Sequence, residues 1–383
     1  MGSWTTLSPP TSGPDWAGKM IKKTLLLATV LACLLTGLSP TAAQTDIELS
    51  QSSAQADFPY SIDFNLAVES PAEITDVRLH YIVDRETFVQ VVSEVIIDIT
   101  PGTIVDASWS WDMLKTGGMP PGTLVEYWWS IINANGQEYV TQHEQLSYDD
   151  DRYHWRSLTE GDISLYWYYG NDAFAQELMQ AAQVAITKLA EDTGAALDEP
   201  VRVYIYASST DLRGAMIYPQ EWAGGVAYTR DNAIAIGISP QNMDWGKRAI
   251  VHELAHLVTH QMTSNPYSSI PTWLNEGISM YAEGEMQPVY LSYLAMAVAQ
   301  DSLFSVRSLA SPFSADADKS YLSYAQSLSL VEFLIQEYGQ EKIHSLLDVF
   351  RQGSTYDDAF ISVYGFDMDG LNTLWREYAM EKY

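Results

Sequence analysis

The first half of the chain carries the period-two alternation of half-buried β-strands. Between Phe58 and Val68, an apolar residue stands at every second position, so one face of the strand is predicted to be buried and the other exposed. Asn135-Gly136 is a strong hairpin signal. Further strand candidates cover residues 74–83, 91–99 and 124–132. Together these segments predict an all-β domain over residues 44–155.

The number of these strands also predicts how they are arranged. About seven short strands in a domain of this length are typical of an immunoglobulin-like or fibronectin type III-like sandwich. The acidic run Asp149-Asp150-Asp151 follows the last strand candidate. We expect this run to be a solvated linker, and calcium binding is the alternative because carboxylates are calcium ligands.

Helical spacing replaces the alternation in the second half, residues 156–383. Asn171 or Asp172 can cap a helix in which apolar residues recur from Phe174 to Leu189 with the period of an amphipathic helix. Three segments are predicted strands: 163–169, 201–206 and 224–238. Beyond them the chain is predicted to be mostly helical. The second half is therefore expected to be a separate α+β domain.

Residues 1–43 are predicted to be an N-terminal extension with a signal peptide. An apolar run over residues 24–38 follows several lysines and precedes small residues at 41–43, where cleavage would leave a mature chain starting near Gln44. We therefore expect a secreted or extracytoplasmic protein. Lipid anchoring at Cys33 is the less favoured alternative, because the residues before it form a poor lipobox.

The composition argues against certain classes of partner and of catalytic chemistry. The 383 residues include 49 Asp and Glu but only 20 Lys and Arg, which argues against nucleic acid because phosphate binding needs clustered cations. The single cysteine lies in the export signal, so thiol catalysis and disulfides are not expected in the mature chain. We expect no stable membrane span in the mature chain, and no pattern indicates an oligomeric state.

The motif HELAH, from His252 to His256, lies in a predicted helix over residues 245–262. Side chains four residues apart lie one above the other on a helix, so both imidazoles point the same way and can bind one Zn²⁺ ion. Glu253 points beside the metal, where it can accept a proton from water as a catalytic base. The flanking residues are apolar, and imidazoles in such surroundings need partners. The motif therefore predicts a catalytic zinc site.

A third metal ligand is available downstream. Glu276, in the segment WLNEG, follows His256 after 19 intervening residues, enough for a turn and a second helix. Its carboxylate would complete a His₂Glu zinc site with a fourth position for water. Glu283 and Glu285 are alternative ligands, but Glu283 lies on the same helical face as Glu276 and better suits a hydrogen bond to a zinc-binding histidine. The metzincin pattern is absent, since position 262 is methionine.

The segment WLNEG, with Tyr281 and Glu283, resembles the WLNEGxxxYxE segment of the aminopeptidase N family. The spacing from the HExxH motif to Glu276 is similar to that in thermolysin, and the best fit is to bacterial peptidase MA-like domains. The resemblance covers residues 160–383. It implies a gluzincin metallopeptidase with a zincin, thermolysin-like fold, a peptide or protein substrate, and a zinc cofactor held by His252, His256 and Glu276.

The resemblance also implies a catalytic role for Tyr324. The segment from Ser323 to Ser327 is similar to a family segment whose tyrosine stabilises the tetrahedral intermediate. A phenol can do this by donating a hydrogen bond to the developing oxyanion. Tyr321 is the alternative candidate for this role.

One departure from the family concerns the choice of substrate. Relatives of aminopeptidase N carry a GxMEN strand whose glutamate binds the free amino terminus of the substrate. The corresponding segment here runs from Gly224 to Tyr228, and Ala227 replaces the glutamate. We therefore expect an endopeptidase or oligopeptidase, whose strand can still pair with a substrate backbone.

Two other functions are compatible with the sequence. A zinc hydrolase of a non-peptide amide or ester would use the same metal chemistry. The other alternative is an exported binding or adhesion protein with a degenerate peptidase domain, which the intact Glu253 argues against.

Overall fold

The structure is a computed structural model that describes residues 47–194, 197–219 and 224–383. The predicted export signal and Cys33 lie outside these residues. The described residues form one compact unit. Within the described ranges, no helix has both the length and the apolar character needed to cross a membrane.

Strands dominate the first part of the described chain and helices the last part, as the sequence predicts. The strands are β1 (Glu48–Asp57), β2 (Ser61–Val83), β3 (Ser93–Ile97), β4 (Gly102–Asp112), β5 (Thr123–Asn133), β6 (Glu138–Val140), β7 (Glu144–Tyr148), β8 (Arg156–Glu160), β9 (Ile163–Trp167), β10 (Val201–Tyr206), β11 (Gly225–Tyr228) and β12 (Ala233–Gly237). The helices are α1 (Asp172–Thr193), α2 (Ser209–Arg213), α3 (Met243–Thr263), α4 (Thr272–Glu283), α5 (Pro288–Ala299), α6 (Ala317–Tyr338), α7 (Gln340–Arg351), α8 (Tyr356–Tyr364) and α9 (Met368–Lys382).

The strands β1 to β7 form an antiparallel sheet organised around the long strand β2. The first half of β2 pairs with β1 and β4, and its second half pairs with β3 and β5. A register shift between Glu69 and Ile74 separates the two halves. In the first half, Ile62, Phe64 and Leu66 are buried and the residues between them are exposed, which is the predicted alternation.

Three strands of this sheet, β1, β4 and β7, were not predicted. Among the described strands β1 pairs only with β2, and it is largely exposed, so it lacks the apolar alternation of a half-buried strand. β4 does carry the alternation, from Val105 to Trp111, and this signal was missed. The segments 58–68 and 74–83, predicted as separate strands, fall largely within the single strand β2.

The second sheet has the strand order β11-β12-β10-β9-β8. β9, β10 and β12 are parallel, and the edge strands β8 and β11 run antiparallel to them. The predicted single strand over 224–238 is instead a hairpin of β11 and β12. Polar residues Thr229–Asp231 form a 3₁₀ turn between the two strands, and Asn232 follows with a φ of 46°, in the left-handed region that asparagine tolerates.

Helices α1 and α3 pack against this second sheet. Asn171 caps α1 by accepting a hydrogen bond from the backbone N–H of Phe174, as predicted. Leu178 of α1 and Leu254 of α3 are fully buried in one apolar cluster with Ile205 of β10. Removing this apolar surface from water, worth about 25 cal/mol per Å², fixes the orientation of α3 on the sheet.

The helices α4 to α9 enclose a further apolar cluster on the other side of α3. Trp273 of α4 and Trp375 of α9 are fully buried in it, together with Val258 of α3. The indole N–H of Trp375 donates a hydrogen bond to the hydroxyl of Ser329 at 3.1 Å. The helix α3 is therefore held between a sheet and a group of helices, which leaves little freedom to the side chains that it carries.

A buried ion pair lies where the chain leaves β7 for the second sheet. Asp150 is 1% exposed, and the Nε and Nη2 atoms of Arg152 donate to its two carboxylate oxygens at 2.7 and 2.6 Å. Tyr206 of β10 donates its hydroxyl to Asp150 Oδ2 at 2.9 Å. The prediction of a solvated linker is therefore wrong for Asp150. Because both of its oxygens already accept hydrogen bonds, the structure also disfavours calcium binding there.

We expect Asp150→Asn to lower the free energy of unfolding by about 2 kcal/mol, because it leaves the guanidinium of Arg152 without its charged partner. This is less than the cost at a fully buried pair, since the Arg152 side chain is 32% exposed. Urea denaturation measures the change. Asp149→Asn and Asp151→Asn, at exposed neighbouring positions, are matched controls and should change stability by less than about 0.5 kcal/mol. Equal effects at all three positions would contradict the assigned role of Asp150.

Candidate active site

The two histidines of the HELAH motif lie on one face of α3. Leu254 and Leu257 are buried against the second sheet, so the packing of the helix directs the imidazoles towards α4. The Nε2 atoms of His252 and His256 lie 3.3 and 3.5 Å from Glu276 Oε2. The structure thus brings together the three residues that the sequence predicts as metal ligands.

The turn between α3 and α4 returns Glu276 to these histidines, and Asn265 organises that turn. The side-chain amide of Asn265 donates to the backbone oxygens of Ser268 and Phe350, both at 3.0 Å. Its Oδ1 atom accepts the backbone N–H groups of Tyr267 and Ser268 at 2.9 and 3.0 Å. These bonds satisfy polar backbone groups in the turn and tie it to the end of α7.

Small residues let α6 approach α4 directly behind Glu276. A Cβ atom at Gly277 would overlap the backbone oxygen of Ser327 on α6, so only glycine allows this separation of the two helices. Ser323 and Ser327 are buried on the facing side of α6. Their hydroxyls donate to backbone oxygens one turn earlier in the same helix, so they need no partner on α4.

The three side chains fit a metal ion. One donor atom from each of His252, His256 and Glu276 lies within 4.8 Å of the others. Glu276 Oε2 is buried and has no hydrogen-bond partner in the described ranges, because its contacts with the imidazoles are ion-pair contacts without hydrogen-bond alignment. Such an atom is costly to bury, and a cation between the donors would satisfy it. Two imidazole nitrogens and one carboxylate oxygen form a donor set of catalytic zinc sites.

Two further side chains orient the imidazole rings. His252 Nδ1 lies 2.8 Å from Glu283 Oε1, the contact that helical spacing from Glu276 predicts. His256 Nδ1 lies 3.1 Å from the hydroxyl of Ser279. Both contacts leave the Nε2 atoms free to face Glu276. Ser279 was not predicted as a partner of His256, although its position three residues after Glu276 on the same helix was a usable signal.

The carboxylates around the histidines favour positive charge at this position. Burial opposes protonation of His252, but the contacts with Glu276 and Glu283 outweigh it and raise its pKa to about 10. Burial alone would raise the pKa of Glu276, and the two imidazoles instead hold it well below its usual range. The same field attracts a metal cation, which competes with protons for the imidazole nitrogens.

This cluster opens into a cavity of about 740 Å³. The edge strand β11 forms one wall, α3 and α4 form the floor, and α5 and α6 form the opposite wall. The residues that line the cavity include Gly225, Ala227, Arg248, Glu253, Tyr290 and Tyr324. A cleft with polar groups at its floor and a strand edge along one wall can accommodate an extended substrate.

The sequence profile of the Peptidase MA superfamily matches residues 181–381, which is more than half of the chain. The chain belongs to the Peptidase MA superfamily. This membership agrees with the resemblance noted in the sequence and supports a zinc peptidase. No curated protein matches the sequence.

Three solved structures illustrate the structural similarity of this Peptidase MA protein. An M1 zinc metallopeptidase from Deinococcus radiodurans has 12% identity and a TM-score of 0.34, over 86% of this chain and 94% of that chain. A two-domain M1 zinc metallopeptidase bound to L-arginine has 13% identity and a TM-score of 0.40, with the same coverage. OgpA from Akkermansia muciniphila has 11% identity and a TM-score of 0.22, and the matched region is 29% of this chain and 32% of that one. TM-scores this low do not support a transfer of function.

Glu253 of the Peptidase MA domain lies in the cavity beside the three candidate metal ligands. The strand β11 passes close to its carboxylate, since a Cβ atom at Gly225 would lie only 2.6 Å from Glu253 Oε1. Burial raises the pKa of Glu253, and the two imidazoles partly offset this effect. The structure therefore places Glu253 where the sequence predicts a catalytic base, and Gly225 leaves room for it.

Of the two candidate tyrosines, Tyr324 contacts a candidate metal ligand, His252. Its ring centroid lies 6.3 Å from that of His252, in an edge-to-face arrangement. Burial raises the pKa of Tyr324 above its usual range, so the phenol keeps its proton and can donate a hydrogen bond. Tyr321 is 40% exposed and stacks on Tyr293 with 5.4 Å between the ring centroids. This geometry favours Tyr324 over Tyr321.

The remaining histidine of α3 contacts the loop after β2 rather than the candidate metal ligands. His260 Nε2 lies 2.9 Å from the carboxylate of Glu86, which follows β2. The backbone N–H of Glu86 also donates to the backbone oxygen of Arg230, next to the cleft, at 2.7 Å. His260 therefore joins the β-rich part of the chain to the helix that carries the HELAH motif.

We expect Glu283→Gln to weaken zinc affinity by about 10- to 100-fold, because His252 loses the charged partner that orients its ring. Competition with a chromophoric chelator measures the affinity. Glu285→Gln is the matched control, since Glu285 carries the same charge but is exposed and outside the cluster. A loss of affinity in Glu285→Gln that equals the loss in Glu283→Gln would show that the effect is one of general charge.

Proposed function

We propose that this protein is an exported zinc metallopeptidase that acts as an endopeptidase or oligopeptidase. The observation that carries the proposal is the buried Glu276 oxygen facing both imidazole Nε2 atoms at the floor of a cleft that also holds Glu253. Membership of the Peptidase MA superfamily supports it. Export follows from the predicted signal peptide.

His252, His256 and Glu276 hold the zinc ion in this proposal. When bound, zinc supplies Lewis acidity, which polarises a carbonyl and makes water a better nucleophile near neutral pH. Glu283 and Ser279 hold the two imidazole rings by their Nδ1 atoms, so that the Nε2 atoms stay directed at the site.

Glu253 moves the proton. It takes a proton from the attacking water and then delivers it to the amine of the leaving group, as general base and general acid. The absence of a side chain at Gly225 leaves the room in which the carboxylate and a water can lie together. The helix α3 fixes Glu253 next to His252, so the base cannot drift from the reacting groups.

Tyr324 stabilises the oxyanion in this proposal. Its ring packs against both His252 and Phe313, with ring centroids 6.3 and 5.3 Å away. This packing holds the phenol in the cleft before the reaction begins. A donor held in advance stabilises the developing charge without reorganisation in the transition state.

The strand β11 binds the substrate backbone. One edge of β11 pairs with β12, and its residues line the cleft, so an extended peptide can add to the other edge. Its four residues, Gly-Val-Ala-Tyr, carry no carboxylate, and Ala227 lies where relatives of aminopeptidase N have the glutamate that binds an amino terminus. A free amino terminus is therefore not required, which favours cleavage within peptides.

The finer architecture belongs to the same proposal. We assign residues 156–383 to a gluzincin domain of thermolysin-like fold, supported by the five-stranded sheet whose antiparallel edge strand lies beside α3. We assign residues 44–155 to an immunoglobulin-like or fibronectin-like sandwich, supported by seven antiparallel strands and by the register shift in β2, whose two halves pair with different strands.

The test is cleavage of a mixed peptide library by the protein without its export signal, read by mass spectrometry beside Glu253→Gln. We expect internal cuts that are about 10²- to 10⁴-fold slower in the variant, which loses the proton transfer but keeps its metal. Strictly stepwise release of amino-terminal residues would contradict the endopeptidase proposal. Zinc-loaded protein that cuts no peptide but hydrolyses amide or ester substrates outside the peptide class would favour a different zinc hydrolase.

Tyr324→Phe should lower kcat by about 10²- to 10³-fold and change KM little, because the hydroxyl acts on the oxyanion and not on the bound substrate. Tyr321→Phe is the matched control and should retain activity. Steady-state kinetics on a peptide from the library distinguishes them. A larger loss in Tyr321→Phe than in Tyr324→Phe would reverse the assignment.

A further inference from the structure

Arg248 is a cation in the cleft that the mechanism above does not use. It lies on α3 one turn before His252, so the two side chains share one face of the helix. Among the residues found to line the cavity, no other is a lysine or arginine, whereas three are glutamates. The chain has 49 acidic and only 20 basic residues, so a cation at this position stands out from its surroundings.

Arg248 forms no hydrogen bond or ion pair with the residues that the structure describes. Its Nε atom is buried and has no hydrogen-bond partner in the described part of the chain. Other arginines of this acidic protein have carboxylate partners: Arg152 pairs with Asp150, and Arg307 pairs with Asp357 and Asp369. Two of the three glutamates of the cleft are directed elsewhere, since Glu283 contacts His252 and Glu276 faces the two imidazoles.

A guanidinium whose Nε atom finds no acceptor among the described residues of a cleft indicates what the cleft binds. Burying an N–H group without an acceptor costs stability, and a group of the ligand can remove that cost. The planar guanidinium presents paired N–H groups that match the two oxygens of a carboxylate. A direct contact of this kind also survives physiological salt, which screens the repulsion between an acidic substrate and the acidic surface beyond about 8 Å.

We propose that Arg248 binds a substrate carboxylate next to the scissile bond, which makes the enzyme selective for peptides that carry a carboxylate at that position. This inference rests on the proposed peptidase function. The carboxylate is either the side chain of a Glu or Asp residue or the carboxyl terminus of the substrate. Arg248 acts as a specificity-determining residue and takes no part in moving the proton.

The test measures peptide binding, which does not depend on cleavage. Zinc-loaded Glu253→Gln protein is titrated with amino-terminally acetylated peptide pools that differ in one group, at physiological salt. One pair of pools has Glu or Gln at a single position, and the other has a free or an amidated carboxyl terminus. We expect the acid to bind about tenfold or more tightly than its amide in one of the two pairs. The pair that shows the difference identifies the source of the carboxylate.

Variants at Arg248, made in the same background, link the preference to this side chain. Arg248→Gln should abolish the difference between acid and amide, and Arg248→Lys should retain part of it because charge remains without the paired donors. Arg248→Glu should shift the preference towards peptides with Lys. Lys247→Ala is the matched control. Lys247 pairs with Glu177 outside the cleft at 2.7 Å, so its loss removes one positive charge and should leave the preference unchanged.

The outcomes separate this inference from the proposed function. Equal binding of acid and amide by the protein with intact Arg248, or an equal effect of Lys247→Ala and Arg248→Gln, would overturn it. If the protein cleaves no peptide but still prefers the acid over the amide through Arg248, the peptidase proposal would be contradicted and the carboxylate site would be supported. If Arg248→Gln does not fold, Arg248→Lys decides, because an unchanged preference in that variant would exclude a paired contact.

Discussion

The structure depends on one constraint: a buried carboxylate on α4 must face two imidazoles on α3. Glu276 Oε2 lies 3.3 and 3.5 Å from the two Nε2 atoms and has no hydrogen-bond partner in the described ranges. A buried charge is costly unless its partners stay close, so both helices must be held firmly for this arrangement to persist. Trp273 anchors the start of α4 in the core, and Asn265 ties down the turn before it. The packing of α4 and of the turn before it therefore keeps Glu276 in place against the two imidazoles.

The same constraint explains why small residues occur behind the site. Gly277 allows α6 to contact α4, and this contact carries Tyr324 to the ring of His252. Gly225 allows β11 to pass beside Glu253. A methyl group at either glycine would displace a functional side chain without removing any chemical group. Packing and catalysis are thus decided by the same few atoms.

The β-rich part of the chain is joined to the catalytic part by specific polar contacts. Asp150 pairs with Arg152 and accepts the hydroxyl of Tyr206 from the second sheet. Glu86 reaches His260 on the helix that carries the HELAH motif. Both contacts involve carboxylates in a strongly acidic protein, and both are buried or half-buried. The acidic residues therefore do more than keep the surface solvated.

Local spacing predicted the candidate metal ligands, the candidate base and the class of chemistry. His252 and His256 share a helix face because they are four residues apart, and this holds in any helix. Segments with strong periodicity, such as α1 and β10, were predicted closely for the same reason. Asn171 was also predicted to cap α1, since a cap is a local interaction.

Only the tertiary structure decided which groups have partners. The contact of Ser279 with His256 and the buried pair of Asp150 with Arg152 depend on residues that meet across the fold. So does the Nε atom of Arg248, which finds no acceptor among the described residues. The hairpin of β11 and β12 was missed because polar residues at its turn look like those within an exposed strand, and β1 was missed because an edge strand needs no apolar face. Periodicity reports which face of an element is buried, whereas the identity of the neighbour that buries it is set by long-range packing.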